Sequence, residues 1–552
     1  MKNNIKVYIC NKEEIIDVNM SIRDIINTYN KNKLDVVAVK VNNEIVSADY
    51  KLNNKDNITF LYQNDRDGNK LYVSGLKFVL INAVEELYHN QAEIFFEHSI
   101  DKGICFTLTI DEMFKQNALS NIKYKMKEII DADIPFKRVR ALKKDAILFF
   151  NKSEETEKAL NIQNVSNNFV TLYNLDNQYN YFYTDMPYST KCLKNFDVIH
   201  VDNDKYVLLF PLVGNDLSVP KYTHYPLNML AFRNYKKWIH SINIFNVSDV
   251  NKLVADRTIE DFIRVNELFL QKNILTEADK IVNRQNIKII LIAGPSSSGK
   301  TTTSMKLMNV LQTYGKNILR ISIDDYYLDQ SRMPKEAVEN RDFESVDLID
   351  LELLNNQIND LINNKNVHLP IYNFINGKKE FSLNETKIND DTLIIIEGLH
   401  ALNSKLLSNI SDSVKYKIYI SPFEPLSIDR HNHLSTVDLR LIRRIVRDNN
   451  FRGVSAEDTI NSWSKVRKGE EEFIFPFMNS VNSVINTSLI YEVGVLKVYV
   501  EPLLYSVPVE SKAYEESKRL INFLKIFYSI PSEYVDKSSL LREFIGGSIF
   551  KY

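Results

Sequence analysis

One short segment limits more than any other what this chain can fold into. It satisfies the pattern G-x-x-x-x-G-K-[ST] at every fixed position, and it reads Gly294-Pro295-Ser296-Ser297-Ser298-Gly299-Lys300-Thr301. The apolar run 287–293 before it predicts a buried strand, and the run 301–314 after it predicts a helix that closes at Gly315. A phosphate-binding loop in this setting predicts an α/β domain with a parallel sheet.

The residue types of this loop suit a bound nucleotide. Glycines at positions 294 and 299 let successive backbone N–H groups point at phosphate oxygens, and the following helix adds the positive end of its dipole. Lys300 is expected to bind the β- and γ-phosphates, and the Thr301 hydroxyl is expected to bind Mg²⁺. Thr302 is assigned to the same segment. The sequence therefore predicts ATP and Mg²⁺ as cofactors.

Glycine is otherwise rare in this chain. Only 14 of 552 residues are glycine, and ten of the 14 lie from residue 294 onward. Average proteins contain about 7% glycine, so glycine is scarce here. Because most of the glycines follow residue 294, the positions that need backbone freedom are concentrated in the second half.

Composition and charge exclude several classes of protein. The chain has 69 basic and 71 acidic residues, so no overall positive field indicates nucleic-acid binding, which stays open only for the N-terminal region. Three cysteines, at positions 10, 105 and 192, indicate neither a disulfide framework nor a metal site. We expect a cytoplasmic protein without a membrane span, and the sequence leaves open whether it forms a homo-oligomer.

Changes in pattern along the chain predict three regions. Residues 1–64 read as a small unit with strands near 5–9, 36–41 and 58–62 and a helix over 22–29. Residues 65–275 begin with a helical apolar stripe at 78–87. From residue 276 to 552, strands alternate with amphipathic helices, which is typical of a parallel α/β domain.

The two front regions resemble parts of aminoacyl-tRNA synthetases. Residues 1–64 resemble the TGS domain, a β-grasp module, and residues 65–275 resemble the α+β second additional domain of threonyl-tRNA synthetase, which removes mischarged amino acids. In that family an HxxxH pair acts in editing, but the corresponding residues here, Gly75 to Val79, contain no histidine. Cys192 also lacks a histidine four residues later. The resemblance therefore implies a retained fold without editing chemistry, with His98 as a structural residue.

Carboxylates end two of the predicted C-terminal strands. Asp324 follows the strand near 318–323, and Glu397 ends the strand near 392–396. A carboxylate at such an edge can accept the proton of an attacking hydroxyl, which we assign to Asp324. Glu397 and Asp324 are also the predicted acidic ligands of Mg²⁺. A phosphate loop alone does not separate ATPases, GTPases and kinases, but these carboxylates favour a small-molecule kinase.

Four arginines have helical spacing. Arg440, Arg443, Arg444 and Arg447 follow the pattern i, i+3, i+4, i+7, which predicts one helix face with four like charges. Such a face needs anions, and arginine matches phosphate oxygens well, so we expect a lid that clamps phosphate. The prediction assigns Arg443 and Arg447 to catalysis and Arg440 to substrate binding.

Residues 288–510 resemble the uridine kinase and phosphoribulokinase family of P-loop kinases. The resemblance rests on the phosphate loop and on four further runs: Asp324-Asp325-Tyr326-Tyr327, Leu369-Pro370-Ile371-Tyr372-Asn373-Phe374, Ile396-Glu397-Gly398 and Arg443-Arg444-Ile445-Val446-Arg447-Asp448. It implies an enzyme that transfers phosphate from ATP to the 5′-hydroxyl of a nucleoside, with uridine or cytidine as the expected acceptor.

The same resemblance implies roles for single residues. Asp324 corresponds to the catalytic base, and Glu344 stands where the family uses an aspartate on the ribose hydroxyls. Tyr327, Tyr372 and Phe374 match the aromatic residues around the base of the nucleoside. One departure concerns specificity, because the family histidine that helps to read a pyrimidine is replaced by Gly377.

Three alternatives therefore stay open. A purine nucleoside is a possible acceptor because Gly377 cannot read a base, and a sugar phosphate would be accepted by a phosphoribulokinase-like site. The synthetase-like front half suggests a different class of function, a tRNA- or RNA-linked regulator that binds nucleotide as a switch.

Overall fold

The computed structural model describes residues 4–31, 35–100, 102–214, 217–339, 343–373, 376–389 and 391–551. The first region forms a five-stranded sheet in the order β2-β1-β5-β3-β4, packed around one helix. Ser21 starts this helix with a reciprocal capping box to Asp24. The elements are β1 (Asn4–Ile9), β2 (Lys12–Asp17), α1 (Ile22–Tyr29), β3 (Val36–Val41), β4 (Glu44–Val46) and β5 (Asn57–Tyr62).

The second region contains two antiparallel sheets and a long buried helix. The four-stranded sheet has the order β11-β12-β7-β6, and the three-stranded sheet has the order β10-β9-β8. The elements are α2 (Arg66–Tyr88), β6 (Ala92–Ile100), β7 (Gly103–Ile110), α3 (Glu112–Lys115), α4 (Ala118–Asp131), β8 (Lys137–Leu142), α5 (Lys143–Lys152), α6 (Thr156–Gln163), β9 (Phe169–Leu175), β10 (Gln178–Asn180), β11 (Asp197–Asp202) and β12 (Lys205–Leu209).

The three-stranded sheet has two different faces. Val170 and Leu172 of β9 point toward α5 and α6, where they pack against Phe150 and Ile162. Side chains alternate along a strand, so the neighbouring residues of β8 and β9 occupy the opposite face. That face carries polar, basic and aromatic side chains.

Three helices connect the second region to the C-terminal core. They are α7 (Pro226–Ser241), α8 (Val247–Ala255) and α9 (Ile259–Val282). Their buried residues, including Tyr235 and Ile274, belong to the same hydrophobic cluster as Ile290 and Ile418 of the C-terminal sheet. The predicted boundary between residues 275 and 276 lies within α9. We propose a boundary near residue 225, because the three helices pack with the C-terminal core.

The C-terminal region has a five-stranded parallel sheet with helices on both faces. Its strand order is β14-β17-β13-β18-β21, and every neighbouring pair is parallel. All five residues of the central strand are buried and apolar, as expected for a sheet covered on both sides. This arrangement agrees with the α/β class that the sequence predicts.

The elements of this region surround the sheet in chain order. They are β13 (Ile289–Ala293), α10 (Lys300–Thr313), β14 (Asn317–Ser322), α11 (Lys335–Glu339), α12 (Leu351–Ile362), β15 (Pro370–Asn373), β16 (Lys378–Phe381), β17 (Thr392–Glu397), β18 (Lys415–Ser421), β19 (Ser427–Asp429), β20 (Asn432–His433), α13 (Thr436–Arg452), α14 (Ala456–Phe473), β21 (Ser483–Asn486), α15 (Glu492–Tyr505), α16 (Tyr514–Leu524) and α17 (Arg542–Ile545).

The short hairpin β19–β20 joins the C-terminal sheet to the second region. The backbone N–H of Phe96 donates to the carbonyl of Arg430 at 2.9 Å, and the Asn161 amide donates to the carbonyl of Ile428 at 2.8 Å. The fully buried Lys158 amine contacts His431 Nδ1 at 2.5 Å. The hairpin leads directly into α13, so the second region holds the segment that precedes the arginine helix.

In the part of the chain that the structure describes, we find no helix with the length and apolar character of a membrane span.

Candidate functional site

The phosphate loop connects the end of β13 to the start of α10. A side chain at Gly294 would place its Cβ 2.2 Å from the carbonyl oxygen of Ile420, so only glycine fits this approach. Gly299 caps α10 with a left-handed φ of +83°, and the side chain of Leu540 packs where its Cβ would lie. The loop geometry therefore depends on both of the glycines that the sequence pattern singles out.

The Lys300 amine folds back over this loop. Its Nζ donates to the carbonyl of Gly294 at 2.9 Å and to that of Pro295 at 3.1 Å. Burial lowers the pKa of Lys300, although the carboxylates of Glu397 and Asp324 partly oppose this shift. A partly buried cation at the start of a helix attracts phosphate, because solvent screens it less than it would screen a surface charge.

Two of the predicted site arginines support the loop from behind. Arg440 donates to the carbonyl of Ser296 at 2.9 Å and pairs with the buried Glu470. Arg443 is fully buried, donates to the carbonyl of Ser297 at 3.2 Å, and pairs with the buried Glu492. Both guanidinium groups are therefore hydrogen-bonded and charge-paired within the protein interior.

Because both guanidinium groups are paired in the interior, we propose structural roles for Arg440 and Arg443 in place of the predicted substrate binding and catalysis. The helical spacing places all four arginines near one face. It could not show that carboxylates 30 and 49 residues later would bind two of them.

The loop receives further support from two other side chains. The Thr487 hydroxyl donates to the carbonyl of Ser298 at 2.6 Å, and the backbone N–H of Ser296 donates to Glu470 at 3.1 Å. The segments around the loop thus fix its backbone from several directions, which reduces the cost of ordering it when a ligand binds.

Three other arginines gather around a single carboxylate beside the loop. Asp448 accepts from Arg447 at 2.8 Å and lies 3.2 Å from Arg444 and 3.5 Å from Arg452. Arg444 also donates to the hydroxyl of Ser296 at 2.9 Å. Mainly the charge of Arg447, together with burial, lowers the pKa of Arg452 to about 10. The cluster therefore carries surplus positive charge next to the loop, which suits a phosphate group.

The two kinds of arginine should respond differently to substitution. Arg443→Met leaves Glu492 buried and unpaired, so we expect a loss of about 3–5 kcal/mol in the free energy of unfolding. Arg447→Ala should keep the unfolding midpoint nearly unchanged and reduce turnover. Urea denaturation and phosphotransfer assays measure the two effects.

The double variant Arg443→Met with Glu492→Leu is the control, because it removes both charges and should regain most of the lost stability. A stable but inactive Arg443→Met protein would contradict the structural role.

Oxygen atoms suited to Mg²⁺ lie at the edge of the sheet. The Thr301 hydroxyl donates to Glu397 Oε1 at 3.3 Å, and Arg320 lies 3.4 Å from the same oxygen. Burial, followed by the charge of Asp324, raises the pKa of Glu397 to about 7. A hydroxyl and a carboxylate are ligands that Mg²⁺ prefers, so these residues fit the predicted metal. Their role as ligands stays a prediction.

Two adjacent aspartates at the end of β14 have different surroundings. Asp325 accepts the backbone N–H of Tyr372 at 3.2 Å, and burial raises its pKa. Asp324 is exposed, and its charge acts on both Lys300 and Glu397. Asp325 therefore stabilises the segment that contains Tyr372, whereas Asp324 is accessible to solvent, and its role as the base stays a prediction.

Aromatic side chains line one side of this edge. The rings of Tyr327 and Tyr372 are 5.6 Å apart, and Phe343 lies 6.4 Å from Tyr327. The Tyr327 hydroxyl donates to the carbonyl of Phe343 at 2.7 Å. Phe343 was not among the predicted site residues, although it directly precedes Glu344. The predicted aromatic residue Phe374 lies outside the described residues.

The structure brings Glu344 to the same cleft. Burial raises the pKa of Glu344 to about 7, and the charge of Arg444 opposes this change. The charges of Lys300 and Asp324 also act on this carboxylate. A protonatable carboxyl group can accept hydrogen bonds from sugar hydroxyls or donate one to them. Contact of Glu344 with the ribose hydroxyls therefore stays a prediction.

A glutamate near the end of the chain contacts the start of α10. Glu543 accepts the backbone N–H of Thr302 at 3.2 Å and its hydroxyl at 2.6 Å. The sequence analysis missed this residue because no local pattern links it to the loop. A carboxylate among the first N–H groups of a helix satisfies donors that have no partner within the helix.

Comparison with known proteins gives the family. Residues 289–490 match the family model described as phosphoribulokinase / uridine kinase family. A uridine kinase from Ligilactobacillus salivarius (strain UCC118) is 32% identical over 198 residues, which cover 36% of this chain and 84% of the relative. The chain belongs to the phosphoribulokinase / uridine kinase family. A uridine kinase from Staphylococcus haemolyticus (strain JCSC1435) is another relative of this family, 33% identical over 36% of this chain and 87% of its own length.

Solved structures give weaker likenesses. A putative fructose transport system kinase from Silicibacter sp. TM1040 is 14% identical, with a TM-score of 0.29, over 38% of this chain and 95% of its own. A possible uridine kinase from Bacillus stearothermophilus is 22% identical, with a TM-score of 0.22, over 28% of this chain and 79% of its own.

Membership of the phosphoribulokinase / uridine kinase family supports a kinase activity located in the C-terminal region.

Proposed function

We propose that the chain transfers the γ-phosphoryl group of ATP to the 5′-hydroxyl of a nucleoside, with uridine or cytidine as acceptor, and that it needs Mg²⁺. The observation that carries the proposal is the exposed carboxylate of Asp324 beside the partly buried Lys300, with the Tyr327 and Tyr372 rings 5.6 Å apart on the same edge. A base, a phosphate-binding cation and a flat aromatic surface are what a nucleoside kinase needs.

Each group has a defined task in this proposal. The phosphate loop and Lys300 hold the β- and γ-phosphates, while Arg444 and Arg447 stabilise the charge on the transferred group. Asp324 accepts the proton of the nucleoside hydroxyl as its oxygen attacks phosphorus. Mg²⁺, when bound by Thr301 and Glu397, would neutralise charge on the phosphates. Positioning and electrostatics then supply most of the rate enhancement.

One observation favours a second acceptor, a purine nucleoside. Gly377 has a left-handed φ of +66°, and a Cβ there would lie 2.3 Å from the side chain of Gln330. A histidine at this position would be strained and would meet that side chain, so the chain does not read a pyrimidine by this means. The aromatic surface itself accepts any flat base, whereas it offers little to a sugar phosphate.

A product assay with several acceptors tests the proposal. We expect uridine with ATP and Mg²⁺ to give uridine monophosphate and ADP, detected by mass spectrometry, at a rate well above that of a pentose phosphate. Cytidine, adenosine and guanosine in parallel reactions reveal the preferred base. ATP hydrolysis without a phosphorylated nucleoside, or phosphorylation of the pentose phosphate alone, would exclude the proposed acceptor.

For the front half we propose a TGS-like domain followed by a synthetase-like region without editing activity. The five-stranded sheet with one helix supports the first part. Glu97, His98 and Cys105 bring ligand atoms within 4.8 Å of one another, yet Glu97 is paired by Lys205 at 2.6 Å and Lys236 at 2.8 Å. These cations oppose a metal ion, and burial raises the pKa of Cys105 to about 12. His98 therefore remains assigned to structure.

A further inference from the structure

A groove far from the phosphate loop in the sequence has the features of a small-molecule site. It is an open groove of about 650 Å³ between the first region, which contributes Ser47, and the three-stranded sheet, which contributes Arg138, Arg140, Phe169 and Thr171. Ligand sites commonly enclose about 300–1,000 Å³. We call it the sheet groove.

The strand register explains why these side chains meet. Arg140 of β8 pairs with Thr171 of β9, and Arg138 pairs with Tyr173. Residues opposite each other on neighbouring strands point to the same face, and α5 and α6 cover the other one. The groove face therefore presents arginine and aromatic side chains side by side.

Charge and aromatic surface in the sheet groove are arranged for an anion with a flat ring. The Arg140 guanidinium lies 4.1 Å from the centre of the Phe169 ring, which is 41% exposed. Among the described residues, Arg140 forms no salt bridge, and the residues that line the 650 Å³ cavity include no carboxylate. Arg138 is half exposed and lies 3.9 Å from the carboxylate of Asp185. Aromatic rings stack on bases, and arginine binds phosphate.

A second cavity continues the sheet groove toward the C-terminal region. It encloses about 220 Å³, shares Arg138 and Phe169 with the first cavity, and adds Lys518, Arg519 and Lys525 from α16 and the residues just after it. Its carboxylates are already engaged, since Glu515 pairs with Lys518 at 3.2 Å and Asp185 accepts the Tyr173 hydroxyl at 2.5 Å. Lys518 is therefore neutralised by Glu515, and the basic character that continues from the sheet groove rests on Arg138 and Lys525.

One contact connects this groove to the arginine helix. Arg519 donates to both carboxylate oxygens of Asp438, at 2.8 and 2.7 Å, and Asp438 lies in the first turn of α13. The same helix carries Arg444 and Arg447 next to the phosphate loop. A ligand that shifts α16 would thus act on the helix that completes the candidate active site.

From these observations we propose that the sheet groove binds a nucleotide as an effector, with the base on Phe169 and Arg140 and the phosphates toward Arg138 and α16. Its size and mixed walls fit one nucleotide better than an extended nucleic acid, because the basic residues form a short track. Only the effect on rate rests on the proposed kinase activity, since binding requires no turnover.

Calorimetric titration of the full chain with UTP tests the binding. The Lys300→Ala variant removes the main phosphate contact of the loop, and we expect it to retain a UTP site. In that background, Arg140→Glu and Phe169→Ala should each weaken UTP binding at least about tenfold, since base stacking and a charge contact are each worth a factor of this order. Lys144→Glu, the same charge change at an exposed residue outside the groove, should leave the affinity unchanged.

The outcomes separate the possible ligands. Loss of all UTP binding in Lys300→Ala would overturn the proposal, as would equal affinity for pyrophosphate, which has no base. Tighter binding of a short uridine oligonucleotide that depends on the same residues would assign the groove to RNA instead. Unchanged melting temperatures of Arg140→Glu and Phe169→Ala would confirm that they remain folded.

Rate measurements on proteins with an intact loop test the effector role. UTP should change the phosphotransfer rate of the unsubstituted chain and of Lys144→Glu, and Arg140→Glu should lose this response while keeping its rate without UTP. Groove binding without any change in rate would exclude an effector role. If no nucleoside is phosphorylated at all, the kinase proposal fails, while the binding result still stands.

Discussion

Replacement of Asp324 by asparagine is expected to reduce nucleoside phosphorylation by about 10²- to 10⁴-fold, the usual contribution of a general base. Asparagine keeps the size of the side chain and can still accept a hydrogen bond, but it cannot take up the proton of the attacking hydroxyl at neutral pH. Asp324 is exposed at a turn, so the fold should not change. Steady-state kinetics should show the loss mainly in kcat.

The adjacent residue offers a matched control. Asp325 accepts a backbone N–H of Tyr372, and asparagine can keep that contact. Asp325→Asn should therefore retain most of the activity. Equal losses in the two variants, or full activity of Asp324→Asn with every nucleoside tested, would show that Asp324 does not act as the base.

Lys300→Ala is the second substitution with a large expected effect. Removal of this partly buried positive charge should lower kcat/KM for ATP by about 10²- to 10³-fold, the range seen when one preorganised donor to a developing charge is lost. The stability of the fold should not fall, because burial already disfavours the charged amine. Kinetics and thermal denaturation on the same preparation measure both quantities.

Lys316 provides the comparison for this substitution. It follows the other end of α10, beyond Gly315, and removing its charge should leave kcat/KM for ATP within about twofold, as expected for a surface change. A Lys300→Ala enzyme with normal ATP kinetics would contradict the assignment of the loop to nucleotide binding.

Local sequence patterns predict the elements that depend on neighbouring residues. The phosphate loop, the strands β13, β14 and β17 and the arginine helix follow from periodicity and glycine positions. The structure starts α10 at Lys300 and places β14 and β17 at the predicted segments. Such features are local, because hydrogen bonds and side-chain spacing within a short window determine them.

Long-range pairing could not be predicted in the same way. Four arginines with helical spacing look equivalent in the sequence, but Glu470 and Glu492 bind two of them in the protein interior. The second predicted boundary lies within α9 for a related reason, since a change in pattern does not show which core a helix packs against. Buried partners distant in sequence decide both questions.

The contact between Glu543 and Thr302 has a consequence for nucleotide affinity. The carboxylate already supplies negative charge to the start of α10, so a phosphate that binds there exchanges one anion for another. We therefore expect the affinity for a nucleotide to reflect the difference between these two interactions. Glu543, which lies in α17 and 241 residues from Thr302 in the sequence, is thus expected to weaken nucleotide binding by the free energy of the contact that the phosphate replaces.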